Sequence, residues 1–147
     1  MIVDVSLTIL DKTWQRLAEQ SFANLKVLAM KFEKSITILY CDNLKTSLDY
    51  YIDKLGFTEK WEWRDPPPFG GVVKDDVELF FCERNLGHPG TWLCIVVDNV
   101  DEYFHTIQGK GAKIISPPES KEWNMREMLV EDPDGHIIRF GHRIECD

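Results

Sequence analysis

The sequence carries few positive charges for its acidity. Its 17 Lys and Arg residues stand against 25 Asp and Glu residues, which gives a formal net charge of −8 at pH 7. A domain with this excess of negative charge repels the phosphate backbone of nucleic acids and anionic membrane surfaces. The composition therefore predicts no nucleic-acid partner and no membrane partner, and it favours a cationic ligand. An acidic surface that only keeps the protein soluble is the alternative interpretation.

The sequence also lacks paired cysteines, long apolar runs and an export signal. Its four cysteines form no CxxC pair, and we expect them to be reduced core residues, not disulfides or zinc ligands: Cys41, Cys82, Cys94 and Cys146. No apolar run reaches the length of a transmembrane helix. Asp4 and Asp11 stand where a signal peptide carries Lys or Arg. We therefore expect a cytoplasmic protein.

Several catalytic motifs are missing as well. The chain contains no G-x-S-x-G elbow, no G-x-x-x-x-G-K-[ST] loop, no G-x-G-x-x-G and no H-E-x-x-H. Its four histidines are interpreted as residues of loops, of a helix surface and of the region after the last turn: His88, His105, His136 and His142. These absences argue against nucleophilic hydrolases, nucleotide-binding enzymes and zinc proteases.

What is present is the composition of one globular domain. The chain has 147 residues, of which 44% are apolar, and this is too short for two ordinary domains. Residues 12–32 have apolar side chains at spacings of three and four, which predicts a helix. We therefore divide the chain into an N-terminal helical extension, residues 1–34, and a domain, residues 35–147.

Within the domain the same plan occurs twice. Each copy begins with a strand-like run that leads into an Asp-Asn pair, at Asp42 and at Asp98, and then into a short helix that a glycine ends. Three strand-like segments follow, and consecutive prolines at 66–68 and 117–118 predict a loop in each copy. Each copy is thus a βαβββ unit. Because one unit alone exposes an apolar sheet face, we predict an α+β domain in which two βαβββ repeats form a curved mixed sheet with a cleft.

The repeat and two strings within it resemble the vicinal-oxygen-chelate superfamily, which includes glyoxalase I, extradiol dioxygenases, fosfomycin-resistance enzymes and bleomycin-resistance proteins. Residues 42–51 with residues 55–57 resemble the first strand-to-helix segment of that family, and residues 132–136 resemble its last hairpin. The resemblance covers about residues 35–143. It implies the glyoxalase/bleomycin-resistance fold.

Two further strings resemble the bleomycin-resistance branch of this family. Residues 69–80 are similar to its central hairpin, and residues 123–128 are similar to its tryptophan-containing strand. In that branch, aromatic rings of a crevice between two subunits sandwich the planar part of the drug, and acidic surroundings attract its cationic tail. The resemblance therefore implies a homodimer that binds a planar, cationic small molecule. The N-terminal helix has no counterpart in that branch.

The same resemblance predicts that the metal site of the catalytic members is lost. Those members hold a divalent metal with His and Glu side chains of the first and fourth strands of each repeat. The corresponding residues are Ile36, Glu78, Trp92 and Arg139, so three of the four positions are replaced. We therefore predict no metal, no other cofactor and no catalysis, with Glu78 and Arg139 forming an ion pair. The alternative is a metal-dependent glyoxalase-like lyase or an extradiol-type dioxygenase with a displaced metal site.

The predicted ligand site consists of three rings and three wall residues that correspond to the drug crevice of the branch. These residues are Trp61, Phe69, Trp123, Glu78, Arg139 and Met125. Trp63 replaces Trp61 if that strand faces the other way. Planar ligands stack on such rings, and cations bind over a tryptophan face. The sequence thus predicts a small-molecule binding protein that sequesters a drug or antibiotic in an aromatic-lined acidic cleft. Core positions for the rings and a scaffold without a ligand are the alternatives.

Overall fold

The computed structural model describes residues 12–22 and 31–144. The chain divides into two units, with the boundary between residues 35 and 36. In the first unit, residues 12–22 are helical and are called α1. The predicted helix is thus present over these residues, whereas residues 31 and 32 are not helical and residues 23–30 lie outside the described residues. No helix in the described ranges is long and apolar enough to cross a membrane.

The second unit contains two βαβββ repeats, as predicted. The first repeat consists of β1 (Thr37–Cys41), α2 (Leu44–Asp53), β2 (Glu59–Trp63), β3 (Phe69–Lys74) and β4 (Val77–Glu83). The second repeat consists of β5 (Trp92–Val96), α3 (Val100–Gly109), β6 (Lys113–Lys121), β7 (Met125–Glu131) and β8 (Ile137–Arg143). The α+β fold predicted from the sequence is confirmed.

Each repeat forms its own four-stranded mixed sheet. The strand orders are β1-β4-β3-β2 and β5-β8-β7-β6. The first strand of each repeat pairs in parallel with the last, and the other pairs are antiparallel. The prediction of a loop at Pro117-Pro118 is wrong, because β6 runs through both prolines. The strand lies at the edge of its sheet and its register shifts there, and an edge strand tolerates a residue that cannot donate to the ladder.

The same capping arrangement starts the helix of both repeats. In the first repeat, Asn43 accepts a hydrogen bond from the backbone N–H of Thr46 at 2.9 Å. In the second, Asn99 accepts from the N–H groups of Asp101 and Glu102 at 3.1 and 3.2 Å. These bonds satisfy N–H groups that have no partner within the helix. The Asn of each predicted Asp-Asn pair is therefore the N-cap.

The turn between β7 and β8 connects the second repeat to the first. The hydroxyl of the buried Tyr51 on α2 donates to Oδ2 of Asp132 at 3.0 Å, and the Ser47 hydroxyl donates to Oδ2 of Asp134 at 2.6 Å. Burial raises the pKa of the Asp132 carboxyl. The hydrogen bonds to the carboxyl favour its charged form and lower the pKa, but burial has the larger effect. The turn resembling the family's last hairpin therefore holds the two repeats together.

His136 in the same turn has a structural role. Its side chain is fully buried, and its Nδ1 accepts from the backbone N–H of Thr91 at 3.0 Å. Its Nε2 lies 2.7 Å from the carbonyl oxygen of Tyr40. A ring with one nitrogen accepting must donate from the other to satisfy a carbonyl, so His136 is the neutral Nε2–H tautomer. It is a buried polar residue with both nitrogens satisfied, and it links β1 to β8.

The cysteines follow the prediction only in part. Cys41 and Cys82 are buried and reduced, as expected, and burial raises the pKa of the Cys41 thiol to about 12. Cys94 is instead exposed on β5, because alternate residues of that strand point away from α3. Cys146 lies outside the described residues.

Candidate ligand-binding site

The first sheet has one face against α2 and one face pointing away from it. Along β4, Leu79 and Phe81 are buried in the core, and Phe80 between them is only half-buried. Successive side chains of a strand point to opposite faces, so Phe80 points away from the helix. We call this surface face 1. The register of β2, β3 and β4 places on it Trp61, Trp63, Phe69, Gly71, Glu78 and Phe80.

Three aromatic rings form a cluster on face 1. The ring centroids of Trp61 and Phe69 are 5.8 Å apart, those of Trp61 and Phe80 are 5.1 Å apart, and those of Phe69 and Phe80 are 5.6 Å apart. Two of these pairs are edge-on, the arrangement that aromatic quadrupoles favour. Trp61 remains 39% exposed. The structure thus brings together two of the predicted rings and adds Phe80, which the sequence analysis missed.

Gly71 makes the cluster possible. It lies opposite Trp61 on β2 and opposite Phe80 on β4. A Cβ atom at this position would lie 2.7 Å from Nε1 of Trp61 and 2.9 Å from Cδ1 of Phe80, closer than real Cβ contacts. The indole therefore lies directly over the glycine backbone. Glycine permits this close approach because it has no Cβ atom.

Trp61 and Trp63 lie on the same face. They are two residues apart on β2, so the strand period of two points both side chains away from α2. Taking Trp63 as a substitute for Trp61 was therefore wrong. Trp63 pairs in register with Phe69 and is 60% exposed. The predicted wall residue Glu78 also lies on face 1, opposite Val73 and two residues before Phe80.

The other three predicted residues lie on the second sheet. Met128, Val130 and Phe140 are buried on the side of α3, so the alternate residues of β7 and β8 form the opposite surface, which we call face 2. Face 2 contains Met125, Glu127, Leu129, Arg139 and Gly141, with Trp123 in the turn before β7. Trp123 is 59% exposed.

A buried carboxylate, Glu127, lies at the centre of this group. It is only 6% exposed, and its Oε1 accepts a hydrogen bond from Nε1 of Trp123 at 3.0 Å. Its Oε2 lies 3.7 Å from Nε of Arg139. Arg139, predicted to pair with Glu78, thus has a carboxylate on its own sheet. Glu127 was not predicted as a site residue, although its position two residues after Met125 on β7 places both side chains on the same face.

The positions of the family metal do not fit a divalent ion. Ile36 precedes β1, Trp92 is the exposed first residue of β5, and Arg139 is paired with Glu127. Only Glu78 offers a donor atom. No group of three His, Cys, Asp or Glu side chains within residues 12–22 and 31–144 could hold a metal ion.

The described residues also form a cleft of about 560 Å³. It lies beside α3, and none of the six predicted ligand-binding residues lines it. The predicted rings lie instead on or beside faces 1 and 2, which point away from α2 and α3. The rings and the cleft are therefore separate features.

The chain belongs to the Glyoxalase/Bleomycin resistance protein/Dioxygenase superfamily, whose family model matches residues 34–140. The match covers both βαβββ repeats, so it agrees with the fold described above. The family resemblance inferred from the sequence is confirmed.

Individual relatives within this superfamily are similar at low identity. A bleomycin resistance protein of Geobacillus stearothermophilus is 28% identical, in an alignment that covers 76% of this chain and 98% of the relative. TnmS3, an antibiotic binding protein from Streptomyces sp. CB03234, has a similar structure with a TM-score of 0.67 at 18% identity, covering 78% of this chain and 98% of that one. A superfamily member from Sphaerobacter thermophilus DSM 20745 gives a TM-score of 0.65 at 23% identity, covering 78% and 99%. The structural likenesses establish the fold.

Proposed function

We propose that this protein binds and sequesters a planar, cationic small molecule of the drug or antibiotic type, without chemical conversion. The observation that carries the proposal is the cluster of Trp61, Phe69 and Phe80 on face 1. Three rings in contact, one of them partly exposed and lying over a glycine, form a preorganised surface for stacking. The 28% identical relative is a bleomycin resistance protein, which supports this class of ligand.

Face 2 supplies a different kind of contact. The Trp123 indole N–H is already bound by Glu127, which fixes the ring while leaving it 59% exposed. An orientation fixed in advance reduces the entropy lost when a ligand stacks on the ring. We propose that Trp123, Met125 and Arg139 form the second wall of the site and that Glu78 lies at the edge of the first.

The charge of the chain supports a cationic ligand. The net charge of −8 raises the concentration of cations near the surface and repels anions. An organic cation over an exposed tryptophan face gains further attraction from the ring. These effects favour a planar molecule with a cationic tail over a neutral or anionic one.

We further propose that the protein works as a homodimer in the cytoplasm. Four tryptophans are substantially exposed on or beside faces 1 and 2: Trp61, Trp63, Trp92 and Trp123. Large exposed apolar surfaces in soluble proteins mark sites of interaction. Pairing of two copies over these faces would cover part of this surface and leave a crevice with aromatic rings on both sides.

Tryptophan fluorescence of EDTA-treated protein tests the proposal. The protein is titrated with metal-free bleomycin and then separately with Ni²⁺, Zn²⁺ and Fe²⁺. We expect saturable quenching by the drug alone. Stoichiometric uptake of a metal without drug binding would overturn the proposal in favour of a metal-dependent enzyme. Equal inhibition of growth by bleomycin in cells with and without the protein would exclude bleomycin itself as the ligand.

A further inference from the structure

The cleft beside α3 has an apolar floor and lies away from faces 1 and 2. Phe57, Ile95 and Phe140 line it and are almost completely buried. Tyr103 on α3 packs edge-on against Phe140 with a centroid separation of 4.8 Å. The volume of the cleft, about 560 Å³, lies within the range of about 300–1,000 Å³ that is usual for small-molecule sites. The space and its lining therefore suit an organic ligand with a ring or a short apolar body.

The rim of this cleft is acidic. The turn between β3 and β4 contributes Asp75 and Asp76, and the start of α3 contributes Asp98 and Glu102. Lys74 on the same rim lies 3.8 Å from Asp75, which it partly neutralises. Within residues 12–22 and 31–144, no Lys, Arg or His side chain forms an ion pair with the other three carboxylates. Negative charge thus exceeds positive charge around an apolar floor.

The spacing of these carboxylates distinguishes between kinds of cation. A metal ion needs several ligand atoms converging within about 2.0–2.6 Å. No group of three acidic, His or Cys side chains in the described part of the chain converges in that way. Carboxylates spread around an apolar floor are suited to a larger cation, whose charge stays at the rim while its rings or alkyl groups enter the cleft.

We propose that this cleft is a second ligand site, separate from faces 1 and 2, which binds a small organic cation with an apolar ring body. Phe57, Phe140 and Tyr103 contact the apolar body. Asp76, Asp98 and Glu102 attract the charged group. The site is made by both repeats, because the acidic turn belongs to the first and α3 belongs to the second.

Titration with thioflavin T, a planar organic cation whose fluorescence rises when it is held rigidly, tests this site. The cleft variant carries Asp76→Asn, Asp98→Asn and Glu102→Gln. The matched control carries Glu33→Gln, Asp53→Asn and Asp65→Asn, which removes the same charge from residues that do not line the cleft. We expect the cleft variant to bind the dye about tenfold more weakly and the control to change by about twofold at most.

Two substitutions locate the dye. Trp61→Ala removes a ring from face 1, where the proposed function also allows a planar cation to stack, so it removes dye bound there and should leave dye binding at the cleft within about twofold. Thr106→Lys places an ammonium group in the cleft, and in the Trp61→Ala background we expect it to abolish the remaining dye binding. Equal weakening in the cleft variant and the matched control would overturn the proposal, because it would show a general effect of charge. Loss of binding in Trp61→Ala alone would also overturn it, while leaving the function proposed for faces 1 and 2 intact.

Discussion

The two repeats have the same strand order and the same helix caps, but faces 1 and 2 differ. Face 1 contains three rings packed against one another over Gly71. On face 2, the Trp123 ring is fixed by a buried carboxylate that also lies near an arginine. The opposite faces, which pack against α2 and α3, are apolar in both repeats. The faces that pack against α2 and α3 are thus alike in the two repeats, whereas faces 1 and 2 differ in their side chains and contacts.

The hairpin turns of the two repeats differ in a related way. The turn between β7 and β8 packs against the first repeat through Asp132, Asp134 and His136. The turn between β3 and β4 is exposed at Asp75 and Asp76 and lines the acidic cleft. One turn therefore packs at the junction between the repeats, and the other is exposed at the cleft.

The largest effect is expected from Gly71→Ala, which changes face 1 alone. The new Cβ would lie 2.7 Å from the Trp61 indole, so the ring must move. Overpacking of this kind costs about 1–3 kcal/mol, and the displaced ring should no longer stack on a ligand. Urea unfolding gives the change in stability, and fluorescence titration with bleomycin gives the change in binding.

Gly109→Ala is the matched control for this substitution. No atom lies within 4 Å of the position where its Cβ would be. We expect unchanged binding and a stability equal to or slightly above that of the wild type. If the two variants bound the drug equally well, the ring cluster of face 1 would not be part of the ligand site.

The second prediction separates the contributions of the two faces to binding. Trp61→Ala removes the exposed member of the ring cluster, and Trp123→Ala removes the ring that Glu127 holds beside face 2. We expect each to weaken drug binding by about tenfold, which corresponds to the loss of one stacked ring. The double variant should show at least the product of the two losses if both walls contact one ligand. Isothermal titration calorimetry measures all three, and an unaffected Trp123→Ala variant would remove face 2 from the site.

The aromatic rings on the two faces were easier to predict from the sequence than the side chains that contact them. Trp61, Phe69 and Trp123 were identifiable from the family resemblance, and the strand period then determines which side chains share a face. The same period would have added Phe80, two residues from Glu78, and Glu127, two residues from Met125. The ion pair of Arg139 with Glu127 depends on the register between β7 and β8, which a single strand pattern does not specify.

The features that sequence reasoning missed arise from contacts between distant elements. The acidic cleft combines the turn between β3 and β4 with the start of α3. These two segments are separated in the chain by β4 and β5. The burial of His136 depends on Tyr40, 96 positions away. β6 can run through Pro117-Pro118 because it lies at the edge of its sheet. That edge position is known only from the order of the strands in the folded sheet. By contrast, the helix caps and the repeat are local patterns and were predicted correctly.

The third prediction concerns the buried carboxylate of face 2. Glu127→Leu leaves the Trp123 N–H and the Arg139 guanidinium without their acceptor, whereas Glu127→Gln keeps an acceptor for the indole. Because Arg139 and Trp123 are partly exposed, we expect a cost of only about 1 kcal/mol for Leu and less for Gln. Urea unfolding measures the change in stability of both variants.

Glu119→Gln, which disrupts an exposed pair with Lys121, is the control and should change stability little. Equal costs for Leu and Gln would show that the indole bond contributes nothing.

The smallest effect is expected from Asp132→Asn. Asp132 lies in the turn between β7 and β8, which packs against the first repeat, whereas the corresponding turn of the first repeat is exposed at Asp75 and Asp76. Burial raises the pKa of this carboxyl in the folded state above its value of about 3.9 in the unfolded chain. The stability that it contributes is therefore present in full below about pH 4 and is lost as the pH rises through the folded-state pKa.

Asparagine resembles the protonated acid, since its carbonyl can accept from the backbone N–H groups and its NH₂ can donate to the Tyr51 hydroxyl. We thus expect the wild type to lose stability relative to Asp132→Asn as the pH rises from about 4 to about 7, by about 1 kcal/mol or less. Urea unfolding of both proteins across this range isolates the contribution of this carboxyl. A difference that was constant, or that changed in the opposite direction, would mean that the hydrogen bonds to Asp132 outweigh its burial and that the junction is held by a stable carboxylate.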